Sequence, residues 1–353
     1  MAPTFQSFLV NDLFGDPALY VALPWERRAL LFDLGEVSAL PAGRLLKITD
    51  VFVSHTHIDH FVGFDHLLRV LLGRPKALRL FGPPGFIERV EGKLRGYTWN
   101  LVEEYALVIH VREIGPDRVL AASFPCREGF PRRDEASEPF DGTVLDEPLF
   151  RVRAAHLDHR IPCLGFALEE RIQLNVDTER LAALGLPVGR WLSDLKRAVR
   201  DGAPDEQPFT VAWKEDGREV SRVLPLGELR RSVLRTRRGQ KLAYVTDAAD
   251  SSENAARILE LARDADLFYC EAGYPERDAE RAQQRHHLTA GRAGRLAAAA
   301  GARHLAVFHL SPKYREESAG LVAEAMAAFT DGSPRKPGAG GATPGTRATS
   351  RIS

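Results

Sequence analysis

The chain has 353 residues, enough for one large α/β domain or two small ones with a substantial core. Apolar residues make up 44% and charged residues 27%, which excludes a disordered or fibrous chain, and 48 basic against 48 acidic side chains leave the question of a nucleic-acid partner to local charge. Cys126, Cys163 and Cys270 lack paired spacing, which argues against a disulfide framework, and no apolar run is long enough for a transmembrane helix.

In chain order, the N-terminal stretch mixes Asp12 and Asp16 with apolar residues and has no basic region, so no signal peptide is expected and the protein is expected in the cytoplasm. Leu30 to Asp33 and Val51 to His55 read as strands. Phe61 to Leu72 carries apolar residues at helical spacing, and Leu78 to Phe81 returns as a strand. Phe124 to Pro148, rich in Pro, Gly and charge, reads as a long loop or insertion. Further strands are expected at Phe150 to Ala155, Gly165 to Leu168, Leu242 to Thr246, Leu267 to Cys270 and Leu305 to His309. Helices are expected at Asn254 to Ala265 and Ala290 to Ala300. This alternation predicts layered α/β architecture. From Asp331 to Ser353 the composition shifts to Gly, Pro, Ser, Thr and Arg, the pattern of a disordered tail.

The run Ser54-His55-Thr56-His57-Ile58-Asp59-His60 sits between a buried strand and a helix, where side chains converge. Imidazoles and carboxylates at this density suit zinc, manganese or iron. One loop cannot complete a two-metal site, so partners are sought at later strand ends. Asp247, His309 and His159 each follow a β-run, where an α/β sheet presents functional groups. His156 is an alternative to His159.

These pieces resemble the metallo-β-lactamase superfamily, and within it the ribonuclease Z branch of tRNA 3′-processing endonucleases. The matching segments run in order through nearly the whole chain. They are Leu31 to Glu36, the 54–60 loop, Phe81 to Gly85, His159 to Phe166, Tyr244 to Asp247 and His309 to Tyr314. The resemblance implies a four-layer αβ/βα sandwich with two mixed sheets. It implies that His55, His57 and His159 hold one metal, that Asp59, His60 and His309 hold a second, and that Asp247 bridges them. His159 is preferred as third histidine because its spacing to Gly165 fits the family pattern. The cofactor would be two Zn2+, with Mn2+ or Fe2+ as alternatives. Two such ions lower the pKa of a shared water and clamp a phosphoryl oxygen, and Asp59 is placed to orient that water.

Cys270-Glu271-Ala272-Gly273 looks like the loop that reads His-Glu-Ala-Thr in ribonuclease Z, and His287-Leu288-Thr289 like its His-Ser-Thr loop. Glu271 and His287 would form a dyad that protonates the leaving 3′ oxygen. Cysteine and glycine depart from the pattern at positions 270 and 273. Residues 175–240 correspond to the family's substrate-binding arm, and Gly185 to Trp191 resembles its Gly-Pro motif, with Arg190 in place of the final proline. Arg190, Lys196 and Arg197 are candidate RNA contacts. Arg230, Arg231, Arg235, Arg237, Arg238 and Lys241 form a basic cluster that reads as a phosphate footprint or as a charged edge. The family's N-terminal Gly-Thr-Gly loop is absent, and the chain reads Phe8 to Asp16 in its place.

Residues 1–330 are therefore expected to form one hydrolase domain carrying the arm, followed by the tail 331–353. The expected substrate is precursor tRNA and the expected assembly a homodimer, with no membrane partner. The altered N-terminal loop and Cys270 favour a small phosphodiester, ester or lactone as the alternative substrate. A non-catalytic RNA-binding scaffold is a third reading, which the complete ligand set argues against.

Overall fold

The computed structural model describes residues 5–332 apart from 172 and 216. Eight strands form the first sheet in chain order: β1 (Gln6–Leu9), β2 (Leu19–Leu23), β3 (Arg28–Phe32), β4 (Ile48–Phe52), β5 (Ala77–Gly82), β6 (Val108–Ile114), β7 (Arg118–Pro125) and β8 (Arg133–Pro139). The chain then enters the second sheet through β9 (Thr143–Asp146), β10 (Phe150–Asp158) and β11 (Pro162–Glu170). It leaves for an excursion containing β12 (Gln173–Val176), β13 (Pro208–Glu215), β14 (Arg218–Pro225) and β15 (Leu234–Arg237). It returns as β16 (Lys241–Val245), β17 (Leu267–Glu271) and β18 (Leu305–Phe308). The order in the second sheet is β18-β17-β16-β11-β10-β9.

Both sheets are mixed. The runs β3 to β6 and β16 to β18 pair in parallel, whereas the remaining neighbours in both sheets pair antiparallel. Facing side chains from the two sheets make an aromatic layer. Phe32, Phe52 and Phe81 stand in register on three neighbouring strands, with ring centroids 5.0 and 4.7 Å apart, and Phe166 and Tyr244 cover them from the other sheet. The outer face of each sheet carries helices over its own apolar cluster. The result is the four-layer αβ/βα sandwich expected from the motifs.

Sequence signals explain the helices on the second face. Ser251 caps Ser252–Ala262 by accepting from the Asn254 amide, and Thr289 caps Ala290–Ala299 by accepting from the Arg292 amide. Gly294 lets the last helix, Ser318–Gly332, approach closely, since a Cβ there would lie 2.2 Å from the Ala325 carbonyl oxygen.

Two expectations need correction. Phe124 to Pro148 is not a loop or insertion: it holds the end of β7, all of β8 and β9, and so carries the chain from one sheet to the other. Strand β8 pairs on one side only and is almost wholly exposed, so its charged sequence hides a protected edge. The helix expected over Phe61 to Leu72 is split into Ile58–Phe61 and Phe64–Leu71. The break follows from a tight crossing, in which the Leu34 amide bonds to the His60 carbonyl and the Gly63 amide to the Leu34 carbonyl. A Cβ on Gly63 would lie 2.0 Å from the Gly35 carbonyl oxygen.

The 175–240 segment builds a small core of its own around Leu181, Trp191, Leu195, Val211 and Leu229, separate from the sandwich clusters. Within it, Trp191–Arg200 forms the helix expected to carry Lys196 and Arg197, and the Trp191 indole donates to the Pro187 carbonyl at 3.0 Å. The last helix runs two residues into the stretch read as a disordered tail, and 333–353 lie outside the described residues. No helix among the described residues is long and apolar enough to cross a membrane. The three cysteines are free and buried.

Candidate metal centre

The functional side chains come from the carboxyl ends of strands in both sheets. Strand β3 ends at Asp33, β4 leads into the 54–60 loop, and the β10–β11 hairpin turns at His159. Strands β16, β17 and β18 end at Asp247, Glu271 and His309. Because the parallel strands of each sheet point the same way, six separate segments converge at one edge of the sandwich.

Asp247 lies at the middle of this convergence. Its Oδ2 is 3.6 Å from His55 Nε2, 3.5 Å from His60 Nε2 and 3.4 Å from His159 Nε2, while its Oδ1 lies 2.8 Å from His309 Nδ1. His309 Nε2 faces Asp59 Oδ2 at 3.3 Å. Separations near 3.5 Å exceed those of hydrogen bonds. They match the edge of a tetrahedron with metal–ligand bonds near 2.0–2.1 Å, an edge of about 3.4 Å. His60 Nε2 is buried and makes no hydrogen bond, an orphan that a cation would satisfy. Three groups of metal-capable side chains gather here: His55, His57 and His159 with Asp247, Asp59 with His60 and His309, and Asp247 with Glu271, His287 and His309. The donor set therefore fits divalent metal.

The electrostatics agree. Burial and the neighbouring His60 hold His55 down to about 2, and burial lowers His57, so both imidazoles are neutral and available as ligands. Burial opposes charge on His60, but Asp247 and Asp33 outweigh it and raise the group to about 10. Asp59 stays ionised against its burial, held to about 2 by His309 and His60.

A supporting shell fixes ring orientation. Asp33, fully buried, accepts from the Ser54 amide at 2.6 Å, the Ser54 hydroxyl at 2.9 Å and the Tyr244 hydroxyl at 2.8 Å. Its Oδ2 also lies 2.9 Å from His60 Nδ1, which fixes that nitrogen as donor and turns Nε2 toward Asp247. His159 Nδ1 is held by the His286 carbonyl at 2.8 Å. Asp33, Ser54 and Tyr244 lie inside the motif segments, but the sequence assigns them no role, and His286 acts through its backbone carbonyl, which a side-chain pattern does not reveal.

His159, not His156, reaches the cluster. The pairing His156↔Leu164 and Asp158↔Pro162 puts His159 at the hairpin tip. His156 sits farther down β10, with its ring against Phe140 at 5.7 Å.

Glu271 is fully buried rather than a surface carboxylate. Its Oε1 accepts from the Ala248 amide at 2.7 Å, and its Oε2 lies 2.9 Å from His287 Nδ1. Glu271 raises the pKa of His287 against the effect of burial, and the His287 ring lies 4.9 Å from that of His159. The unexpected Cys270 side chain packs in the apolar layer under the helices. At Gly273, a Cβ would lie 3.3 Å from Glu271 Oε2.

A cleft of about 680 Å³ opens over the cluster, lined by His57, Asp59, His159, Asp247, His287 and His309. Phe14, Gly15 and Asp16, from the segment standing in for the family's Gly-Thr-Gly loop, form part of its wall. Arg190, Lys196 and Arg197 do not line this cleft. They lie on the arm, and Arg197 pairs with Asp194 at 2.6 Å. Part of the basic cluster is ion-paired within the protein. Arg230 and Arg231 pair with Asp205, Arg235 with Asp177, and Lys241 with Glu169.

Ribonuclease Z of Deinococcus radiodurans is 34% identical over 291 residues, covering 81% of this chain and 83% of that protein. The chain belongs to the ribonuclease Z family. Ribonuclease Z of Myxococcus xanthus is 31% identical over 84% of this chain and 82% of its own length. That of the archaeon Methanosarcina acetivorans is 29% identical over 86% and 85%. No protein-family model matches the chain. Among solved structures, the short form of human tRNase Z aligns over 88% of this chain and 93% of its own with TM-score 0.51 and 19% identity. The metallo-β-lactamase fold protein YhfI from Bacillus subtilis aligns over 92% and 93% with TM-score 0.52 and 15% identity. At these identities the structures attest the fold, which is the metallo-β-lactamase sandwich.

Proposed function

We propose that the protein is a metal-dependent endoribonuclease that removes 3′ trailers from precursor tRNA, leaving a 3′-hydroxyl on the tRNA. Family membership supports the reading, and the observation that carries it is the Glu271–His287 pair beside the metal cluster. A bare metallo-hydrolase has no need of a buried carboxylate bonded to an imidazole at the cleft, whereas expelling a ribose 3′ oxygen requires a proton donor.

His55, His57 and His159 would hold one ion, and Asp59, His60 and His309 another, with Asp247 between them. Zinc suits this imidazole-rich set, and manganese or iron would also be accepted. A bound pair of divalent ions supplies Lewis acidity, lowering the pKa of water and neutralising phosphoryl oxygens. Asp59, ionised and at the cleft, orients the attacking water and receives its proton. Glu271 fixes the His287 tautomer through Nδ1, leaving Nε2 to protonate the departing 3′ oxygen. The arm, 175–240, grips the RNA through Arg190, Lys196 and Arg197, and a homodimer offers one subunit's arm to the other's cleft. Residues 1–330 work as one hydrolase domain.

The test is metal-dependent cleavage of a precursor tRNA, with bis(p-nitrophenyl) phosphate in parallel. Expected are cleavage after the discriminator base, its loss in His57→Ala, and a fall of roughly 10²–10⁴-fold in His287→Ala. Diester hydrolysis without tRNA cleavage would assign the same centre to a small substrate. That second reading draws on the Phe14 to Asp16 wall of the cleft.

A further inference from the structure

The lining of the cleft carries charge of both signs: Asp59 and, from the N-terminal loop, Asp16, and also Arg160 and Arg285, which stand one residue from His159 and two residues from His287 in the chain. Both arginines are exposed, and neither guanidinium has a hydrogen-bond or ion-pair partner among the described residues. In this they differ from Arg197, Arg230, Arg231 and Arg235 of the arm, which are paired with carboxylates. An unpaired arginine fork facing a cleft is a ready receptor for a phosphate.

Their positions are fixed by the backbone. Arg160 occupies the tip of the β10–β11 hairpin at φ 62°, one residue past His159, and its amide bonds to Asp158 Oδ1 at 3.0 Å. Arg285 ends the helix Ala279–Arg285, and His286 then turns through φ 59° to deliver His287. The His286 carbonyl holds His159 Nδ1 at 2.8 Å, so the two segments are tied together. Both arginines therefore belong to the side of the cleft from which His287 protonates.

We propose that Arg160 and Arg285 bind the phosphate on the 5′ side of the nucleoside whose 3′ oxygen departs, one phosphate upstream of the scissile bond. The proposal rests on the endoribonuclease reading and deepens it. If His287 gives its proton to a 3′ oxygen, the leaving nucleoside lies along this side of the cleft. That nucleoside's own 5′ phosphate is the next anion along the chain. The two arginines, which have no carboxylate partner among the described residues, receive it. A small diester lacks this phosphate, so the contact selects polynucleotides at the cleft itself, independently of the arm.

The experiment uses full-length, metal-loaded protein and a precursor tRNA carrying one uncharged methylphosphonate at that upstream position. Arg160→Ala, Arg285→Ala and the double variant are compared with the parent, each normalised to its own bis(p-nitrophenyl) phosphate turnover to remove any change in the metal centre. Neutralising the phosphate is expected to lower the parent's kcat/KM by roughly 10–100-fold, the effect of losing charge-assisted hydrogen bonds. The double variant should lose a similar factor on the charged substrate and little more on the neutral one. A methylphosphonate one phosphate downstream of the scissile bond should affect parent and variants alike. Independent losses that multiply, or variants that cleave like the parent, overturn the proposal. A parent that hydrolyses the small diester but leaves the RNA intact overturns the endoribonuclease reading, and this contact with it.

Discussion

Asp33 illustrates how much of a metal site lies outside its ligands. It holds the backbone in the left-handed region, φ 56°, and its carboxylate gathers Ser54, His60 and Tyr244. Asparagine tolerates that φ and keeps the shape, but its amide cannot accept from all of these donors. Asp33→Asn should therefore release the His60 tautomer and present an N–H at Nε2, where a lone pair is needed. The expected result is a roughly 10–100-fold weaker affinity at the site of Asp59, His60 and His309, read by competitive metal titration with the fold checked by circular dichroism. Two unaltered metal affinities would sink this role. The ligands themselves were legible, because three imidazoles and a carboxylate within six residues form a pattern that local spacing exposes. The Tyr244–Asp33 bond joins residues 211 apart in sequence, a distance over which spacing carries no signal. The same limit applied to His159 and His156, separated only by the place where the hairpin turns.

At the scale of elements, the parallel strands β3, β4, β5, β16, β17 and β18 were readable from their apolar runs, whereas the antiparallel β1, β2, β7 and β8 were missed. Strand β8 is an exposed, charged edge, and so looked like loop. The arm's arginines looked unopposed because their acids, Asp177 and Asp205, come from elsewhere in the arm. The arm's separate core leads to a prediction. Trp191, 4% exposed, packs among Leu192, Leu195 and the rest of that cluster. Truncating such a residue typically costs about 3–5 kcal/mol. Because the cost falls on a core that the sandwich does not share, Trp191→Ala should loosen the arm alone. Hydrogen exchange should speed up in 174–234 and stay slow in β16 and β17. Cleavage of precursor tRNA should fall while bis(p-nitrophenyl) phosphate turnover persists. Uniformly faster exchange across both sheets would show that the arm is an integral part of the sandwich.

In the whole molecule, the metal centre joins the two sheets. The first sheet supplies His55, His57, Asp59 and His60; the second supplies His159, Asp247 and His309. Beneath them the sheets meet through apolar and aromatic packing, so divalent ions at this edge would act as a clamp across the interface. Removing them leaves protons to fill part of their place. His60 is the clearest case: its folded value, about 10, lies above the 6.5 of a free imidazole, so the folded state binds that proton more tightly than the unfolded state does. The stabilisation this proton gives the stripped protein is complete below pH 6.5 and disappears as pH rises through about 10. Metal binding runs the opposite way, since the ligands must shed protons to bind and affinity rises with pH. The melting-temperature gap between loaded and stripped protein should accordingly widen from pH 6 to pH 9, and refilling the sites should close it. At free metal about a thousandfold above Kd, each ion that binds only the folded state adds about 4 kcal/mol. Calorimetry at several pH values, with metal content measured in each sample, decides the matter. A stripped protein that melts with the loaded one at every pH would mean that the sheets need no clamp and that the ions serve chemistry alone.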